Sequence, residues 1–181
     1  MANEANLAPA QLAQLRLVRA YRAARRDFIA AAQGADAIAR VHPGSGPDGK
    51  PLFCDSAAFG PRHAAAAVIV IGGADGALTA LLKDGVRLPE GTRLVAIDSL
   101  DPFARAWGRA SEDWPAATLA TIAAEDLSDA RKLILLDLDG GVPETLLKAA
   151  LAQAPNQVKI SYRAVRPEHI RQAFSAAIAA L

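Results

Sequence analysis

Aspartates follow short apolar runs at several points of the 181-residue chain, where their carboxylates could act together. They are Asp75, Asp98, Asp137 and Asp139. If the apolar runs are parallel strands, their carboxyl ends meet at one edge of a sheet, and we expect the four side chains to converge there. Clustered carboxylate oxygens suit Mg²⁺, Ca²⁺ or Mn²⁺, so the pattern is typical of a metal-dependent hydrolase. The alternative is structural, with Asp75 and Asp98 capping helices or turns and Asp137 accepting backbone hydrogen bonds.

Glycines surround the first of these aspartates, in the stretch Gly72-Gly-Ala-Asp-Gly. This stretch does not match Gly-x-Gly-x-x-Gly, and no Lys-Ser or Lys-Thr follows it, so a nucleotide cofactor is not expected. Arg109, farther along the chain, could bind an anionic group of a substrate. The candidate pocket therefore comprises Gly73, Asp75, Gly76, Asp98, Arg109, Asp137 and Asp139.

Strands and helices alternate along the sequence. Strands are predicted at Ala37–His42, Pro51–Cys54, Val68–Ile71, Arg93–Asp98, Lys132–Leu136 and Val158–Tyr162. Helices are predicted at Pro9–Gln33, Leu78–Lys83, from Asp101 onward, at Ala116–Ala124, at Pro143–Gln153 and at Pro167–Ala180, and Asp55–Arg62 is predicted to be a loop. The first two strands resemble a hairpin near a sheet edge. The alternation predicts a three-layer α/β/α sandwich with a mostly parallel or mixed central sheet.

The chain is expected to be a single domain over 1–181, with an N-terminal helix in 1–34 and the sheet with its covering helices in 35–181. Five arginines of the first helix, Arg25 among them, are interpreted as a solvated flank. Sheet edges or apolar helix faces left open would favour self-association, so we predict a homodimer.

Composition excludes several classes of function. The net charge of +1 gives no electrostatic reason to expect nucleic acid or a membrane as partner. A single cysteine, Cys54, rules out an internal disulfide and a thiolate zinc cluster. His42, His63 and His169 are not at ligand spacing from one another. No leader and no long apolar segment is present, so a cytoplasmic protein is expected.

Two resemblances bear on function. The run Leu133-Ile-Leu-Leu-Asp-Leu-Asp-Gly-Gly resembles the nucleophile motif of haloacid-dehalogenase-type phosphatases. That motif normally opens its fold, whereas only 42 residues follow Asp139 here, which argues against that family.

The second resemblance covers about residues 21–113. The segments Tyr21-Arg-Ala-Ala-Arg-Arg-Asp-Phe, Gly46-Pro-Asp-Gly-Lys-Pro-Leu-Phe-Cys-Asp-Ser and Asp101-Pro-Phe-Ala-Arg-Ala-Trp occur in order. Together they resemble a bacterial family of zinc-carboxypeptidase-like metallopeptidases of unknown substrate. The resemblance implies a carboxypeptidase A-type fold.

The residues that bind zinc in that family are replaced. Its central strand is followed by Gly-Thr-His-Gly-x-Glu-Gly, and here Asp75 stands for the histidine and Leu78 for the glutamate. A later Asp-x-His corresponds to Asp137-Leu-Asp139, with aspartate again in place of histidine. Leucine cannot coordinate zinc, and only Arg109 remains as an anchor for a substrate carboxylate.

The resemblance therefore implies a shortened, catalytically inactive relative with a binding or structural role and no cofactor. The alternative is a divalent-metal-dependent hydrolase that uses Asp75, Asp98, Asp137 and Asp139.

Overall fold

The structure is a computed structural model of the chain, and it describes residues 7–41, 54–72, 75–98, 118, 121–122, 125, 127–138, 145 and 159–181. The helices predicted from Asp101 onward and over Pro143–Gln153 lie outside these residues, apart from Thr145. Of the helix predicted at Ala116–Ala124, residues 118, 121 and 122 are described and are helical.

A six-stranded sheet forms the centre of the molecule. Its strands are β1 (Ala37–Val41), β2 (Cys54–Phe59), β3 (Ala66–Gly72), β4 (Thr92–Asp98), β5 (Lys132–Asp137) and β6 (Lys159–Ala164). They are arranged in the order β1-β2-β4-β3-β5-β6. The four strands from β4 to β6 in this order run parallel, and β1 and β2 are antiparallel neighbours at one edge. The predicted mixed α/β sheet is confirmed, and an antiparallel pair lies at its edge as expected, with its second strand at Cys54–Phe59; residues 51–53 of the predicted strand Pro51–Cys54 lie outside the described residues.

The sheet extends into a segment for which the sequence predicted a loop. Residues 55–59 belong to β2, where they pair with β1 on one side and with β4 on the other. Asp55, Ser56, Ala57 and Ala58 are all buried. The Asp-Ser-Ala-Ala run has no β-branched residue, so strand formation here comes from its position between two partners rather than from local propensity.

Helices cover the first face of the sheet. They are α1 (Pro9–Ala31), α2 (Ala77–Lys83) and α3 (Ile170–Ala179), the last preceded by a short 3₁₀ turn at Pro167–His169. Phe28 of α1, Leu78 of α2 and Phe174 of α3 pack with Val68 and Val70 of β3 in one core. Every second residue of a strand points to the same side, so these even-numbered positions of β3 define this first face.

A second core lies on the opposite face. Ile69 and Ile71 of β3 pack there with Leu133 and Leu135 of β5 and with Ile122. Because β3 is apolar on both faces, it is covered on both, as expected of a central parallel strand. The two cores give the three layers that the alternation of elements predicted.

A buried arginine near the amino end of β4 joins the β1–β2 hairpin to the residues that cover the second face of the sheet. The Arg93 side chain is 6% exposed, and its Nη1 donates to the Gly60 carbonyl at 2.9 Å and to Asp36 Oδ2 at 3.3 Å. Its Nε and Nη2 donate to Glu125 Oε2 at 3.1 and 3.0 Å. Gly60 itself has φ +86°, and a Cβ there would lie 2.2 Å from the Thr92 carbonyl oxygen, so the turn requires glycine.

In the described part of the chain, no helix is long and apolar enough to cross a membrane.

Candidate functional site

The carboxyl ends of β4, β3 and β5 lie side by side, as the sequence predicted. Asp98 is opposite Gly72 in the pairing of β4 with β3, and Asp137 is opposite Ile71 in the pairing of β5 with β3. Gly72 and Ile71 are consecutive, so these two aspartates point to opposite faces of the sheet. The backbones of Asp98 and Asp137 therefore lie at the same edge of the sheet, whereas their carboxylates lie on opposite faces.

Asp137 lies on the second face and is fully buried. The hydroxyl of Tyr162, on the neighbouring strand β6, is 3.1 Å from Asp137 Oδ2 and donates to it. The Asp137 carbonyl accepts from the Val165 N–H at 2.8 Å. These bonds fix the end of β5 against β6, and the Tyr162 partner of the carboxylate is a side-chain hydroxyl rather than one of the backbone groups that the structural alternative expected.

Asp98 lies on the first face, beneath α1 and α2. Its side chain is almost completely buried, at 7% exposure. Its partner across the β2–β4 pairing is Asp55, which is also buried. Side chains that are directly opposite in an antiparallel pair lie on the same face about 5 Å apart, so the two buried carboxylates are neighbours.

An arginine of α1 compensates part of this negative charge. Arg25 Nε donates to Asp55 Oδ2 at 2.6 Å, and Arg25 Nη2 donates to Asp55 Oδ1 at 3.2 Å. The planar guanidinium binds both carboxylate oxygens at once, a geometry that lysine cannot reproduce. The sequence interpretation missed this pair, because Arg25 was assigned to a solvated flank and Asp55 to a loop. The signal that could have found it is a carboxylate in an otherwise apolar segment beside a strand.

Asp75 is exposed in the turn that connects β3 to α2. Its Oδ1 accepts a hydrogen bond from the Ala77 N–H at 3.1 Å. A side-chain oxygen bound to the N–H two residues later is a local turn that supports the start of a helix. The structural alternative for Asp75 therefore accounts for this contact.

Leu78 is the second residue of α2 and faces inward. It is 1% exposed, and it packs so closely on the backbone of β3 that a Cβ on Gly72 would lie 2.5 Å from the Leu78 Cβ. The position that carries a zinc-binding glutamate in the family resembled is therefore part of the hydrophobic core in this chain.

A cavity of about 370 Å³ opens between α1 and α2 above the ends of β3 and β4. We refer to it as the carboxylate pocket. Its described lining residues are Ala24, Asp27, Asp75, Gly76, Thr79, Ala80, Lys83 and Asp98. The structure thus brings together Asp75, Gly76 and Asp98 of the predicted pocket and separates them from Asp137. Gly73, Arg109 and Asp139 are outside the described residues.

Among the residues that the structure describes, no group of three His, Cys, Asp or Glu side chains is placed to hold a metal ion. The described lining of the carboxylate pocket has three carboxylates and one ammonium group, and Arg26, outside the lining, lies 3.7 Å from Asp27, so one negative charge remains in excess. Such a lining favours cationic ligands.

Comparisons with known proteins give one family. Residues 18–113, just over half of the chain, match the family described as "Protein of unknown function (DUF2817)". None of the proteins of curated function matches the sequence.

Solved structures of similar chain path include a candidate Zn-dependent exopeptidase from Bacteroides vulgatus. It has 10% sequence identity and a TM-score of 0.45, over 87% of this chain and 82% of that one. A glutaminyl cyclase from Porphyromonas gingivalis has 15% identity and a TM-score of 0.45, over 93% of this chain and 81% of that one. Because both TM-scores lie below 0.5, neither structure informs the activity of this chain.

Proposed function

The chain belongs to the DUF2817 family, and from this premise we propose that it is a catalytically inactive relative of zinc carboxypeptidase-like metallopeptidases, with a binding role. The observation that carries the proposal is the position of Leu78. A catalytic zinc ion needs three protein ligands and an open position for water. Here the place of one ligand is taken by a leucine buried in the core, and the place of another by Asp75, which is bound to the start of α2.

Metal content tests the loss of the zinc site. After incubation with zinc and dialysis, we expect the purified protein to hold far less than one zinc ion per chain by inductively coupled plasma mass spectrometry, and Asp75→Ala to give the same value. The physical reason is that the described carboxylates at this edge are divided between two faces of the sheet. One zinc ion per chain in the wild type, absent from Asp75→Ala, would contradict the proposal. Stoichiometric magnesium or manganese with the same dependence would instead favour the aspartate-based hydrolase.

The binding role is assigned to the carboxylate pocket, and its charge specifies the class of ligand. Asp98 lines the pocket and is 7% exposed, whereas Asp27, Asp75 and Lys83, which also line it, are exposed. Its volume of about 370 Å³ lies within the range of small-molecule sites, which is roughly 300 to 1,000 Å³. A small ligand with an amino group and an aliphatic body fits these constraints.

Matched ligands and matched variants test this class of ligand. We expect lysine amide to bind more tightly than norleucine amide, which has no side-chain ammonium group. Asp75→Asn keeps an oxygen for the Ala77 N–H and removes the charge. It should weaken lysine amide binding about 1.5- to fivefold, since an exposed ion pair contributes roughly 0.2 to 1 kcal/mol.

Isothermal titration calorimetry measures these affinities, with Asp129→Asn as control. Asp129 is exposed and lies outside the pocket, beside His63. Equal affinity for the two amides, or an equal loss in both variants, would show that the pocket charge does not select the ligand.

A further inference from the structure

A second cavity of about 540 Å³ lies on the other side of α2, between that helix and α3. We refer to it as the α2–α3 groove. Its apolar surface comes from Leu81 of α2 and from Phe174 and Ile178 of α3. Leu81 and Phe174 are nearly buried and belong to the first core, and Ile178 packs against that core. No residue lines both the groove and the carboxylate pocket.

Two arginines and one aspartate give the groove a positive rim. Arg171, in the first turn of α3, forms an ion pair with Asp84, which directly follows α2. Arg87 also lines the groove and is exposed. In the described part of the chain, no side chain or backbone group pairs with its guanidinium. One positive charge is therefore left uncompensated beside an apolar surface.

Two backbone hydrogen bonds cap the end of α2 beside the groove. The Asp84 N–H donates to the Ala80 carbonyl, and the Gly85 N–H donates to the Leu82 carbonyl. Gly85, with φ +79°, turns the chain away from the helix axis and carries it toward Arg87. Of the charged side chains that line the groove, Arg171 and Asp84 pair with each other, which leaves the Arg87 guanidinium for an anionic ligand.

The geometry points to a binding site for a medium-chain aliphatic carboxylate in the α2–α3 groove, with the carboxylate on Arg87 and the hydrocarbon chain along Leu81, Phe174 and Ile178. An apolar body gains affinity from the surface it covers, at about 25 cal/mol per Å² removed from water. An arginine is suited to the head group because its planar fork matches the two oxygens of a carboxylate. This site is independent of the proposed function, since it shares no lining residue with the carboxylate pocket.

Octanoate is the probe, and octanamide, which has the same chain and no charge, is its control. By isothermal titration calorimetry on the full chain, we expect saturable octanoate binding and weaker octanamide binding. Hexanoate should bind about two- to fourfold more weakly than octanoate for each methylene group that the groove covers. Arg87→Gln should weaken octanoate binding about two- to fivefold and leave octanamide binding unchanged. Arg163→Gln, an exposed arginine of β6 outside the groove, should change neither.

Ser175→Phe provides a second and steric test. Ser175 is an exposed residue of α3 that lines the groove, so a phenyl ring there should occupy the ligand's place without disturbing the core. We expect at least a tenfold loss of octanoate binding, with an unchanged circular dichroism spectrum and unchanged lysine amide binding in the carboxylate pocket. Absence of saturable octanoate binding to the wild type would overturn the assignment. So would equal binding of octanoate and octanamide, or full binding to Ser175→Phe.

Discussion

Replacement of Leu78 by glutamate will unfold the protein or lower its free energy of unfolding by at least about 4 kcal/mol, because a carboxylate would enter a closed core. Leu78 is 1% exposed, and it contacts Gly72 of β3 within the core formed by α1, α2 and α3. The substitution removes the packing of a leucine, which costs roughly 2 to 5 kcal/mol when the site is truncated. It also places a charge where the described neighbours are hydrophobic.

Leu78→Met is the matched control, since it keeps volume and apolar character and should cost under about 1.5 kcal/mol. Urea denaturation followed by circular dichroism measures both variants. A folded Leu78→Glu protein with an unchanged midpoint would show that position 78 is accessible, and it would remove the main support for the loss of the zinc site. The expected result means that a zinc site cannot be recovered here by restoring ligands one at a time, because α2 would first have to repack.

Replacement of Arg93 by methionine should cost about 3 to 5 kcal/mol of unfolding free energy, because it leaves a nearly buried carboxylate without its cation. Glu125 is 13% exposed and accepts both the Nε and the Nη2 donors of Arg93. The same substitution removes the Arg93 donor from the Gly60 carbonyl.

The double variant Arg93→Met/Glu125→Gln separates charge from packing. It removes the uncompensated negative charge, so we expect it to be more stable than Arg93→Met alone in the same urea titration. Arg93→Lys should be intermediate, since an ammonium group cannot reach Glu125, Gly60 and Asp36 in one plane. A loss under about 1 kcal/mol for Arg93→Met would show that the network behaves like an exposed ion pair.

Hydrophobic pattern alone was sufficient for most of the sheet. β3, β4 and β5 each contain at least four consecutive apolar residues, and such runs predict strands covered on both faces. Phe28 and Phe174, which the helical spacing assigned to apolar stripes, are in the core. Residues 55–59 of β2 were predicted as a loop, and Asp55 to Ala58 include no β-branched residue that would favour a strand. This segment becomes a strand because it lies between two partners, the preceding strand β1 and the more distant β4.

The sequence predicted the edge of the sheet at which the aspartates lie, but not the face of the sheet to which each side chain points. Aspartates that end neighbouring parallel strands must come close in backbone position, and Asp98 and Asp137 do. The side to which each points depends on register, and a shift of one residue between β4 and β5 reverses it. Because β3 and β5 are apolar on both faces, their hydrophobic pattern does not fix that shift, and the position of Asp98 opposite Asp55 did not follow from the sequence.

The strand order has a consequence for synthesis on the ribosome. The hairpin of β1 and β2 leaves the exit tunnel before β4, the strand that pairs with the free edge of β2. The next strand, β3, emerges apolar on both faces, and both of its partners are still to be made. An apolar strand with two open edges is a template for pairing with other chains. A ribosome that pauses between β3 and β4 therefore holds the nascent chain in its most aggregation-prone state. Translation through the residues of β4 shortens the exposure, because that one strand pairs with β2 and β3 together.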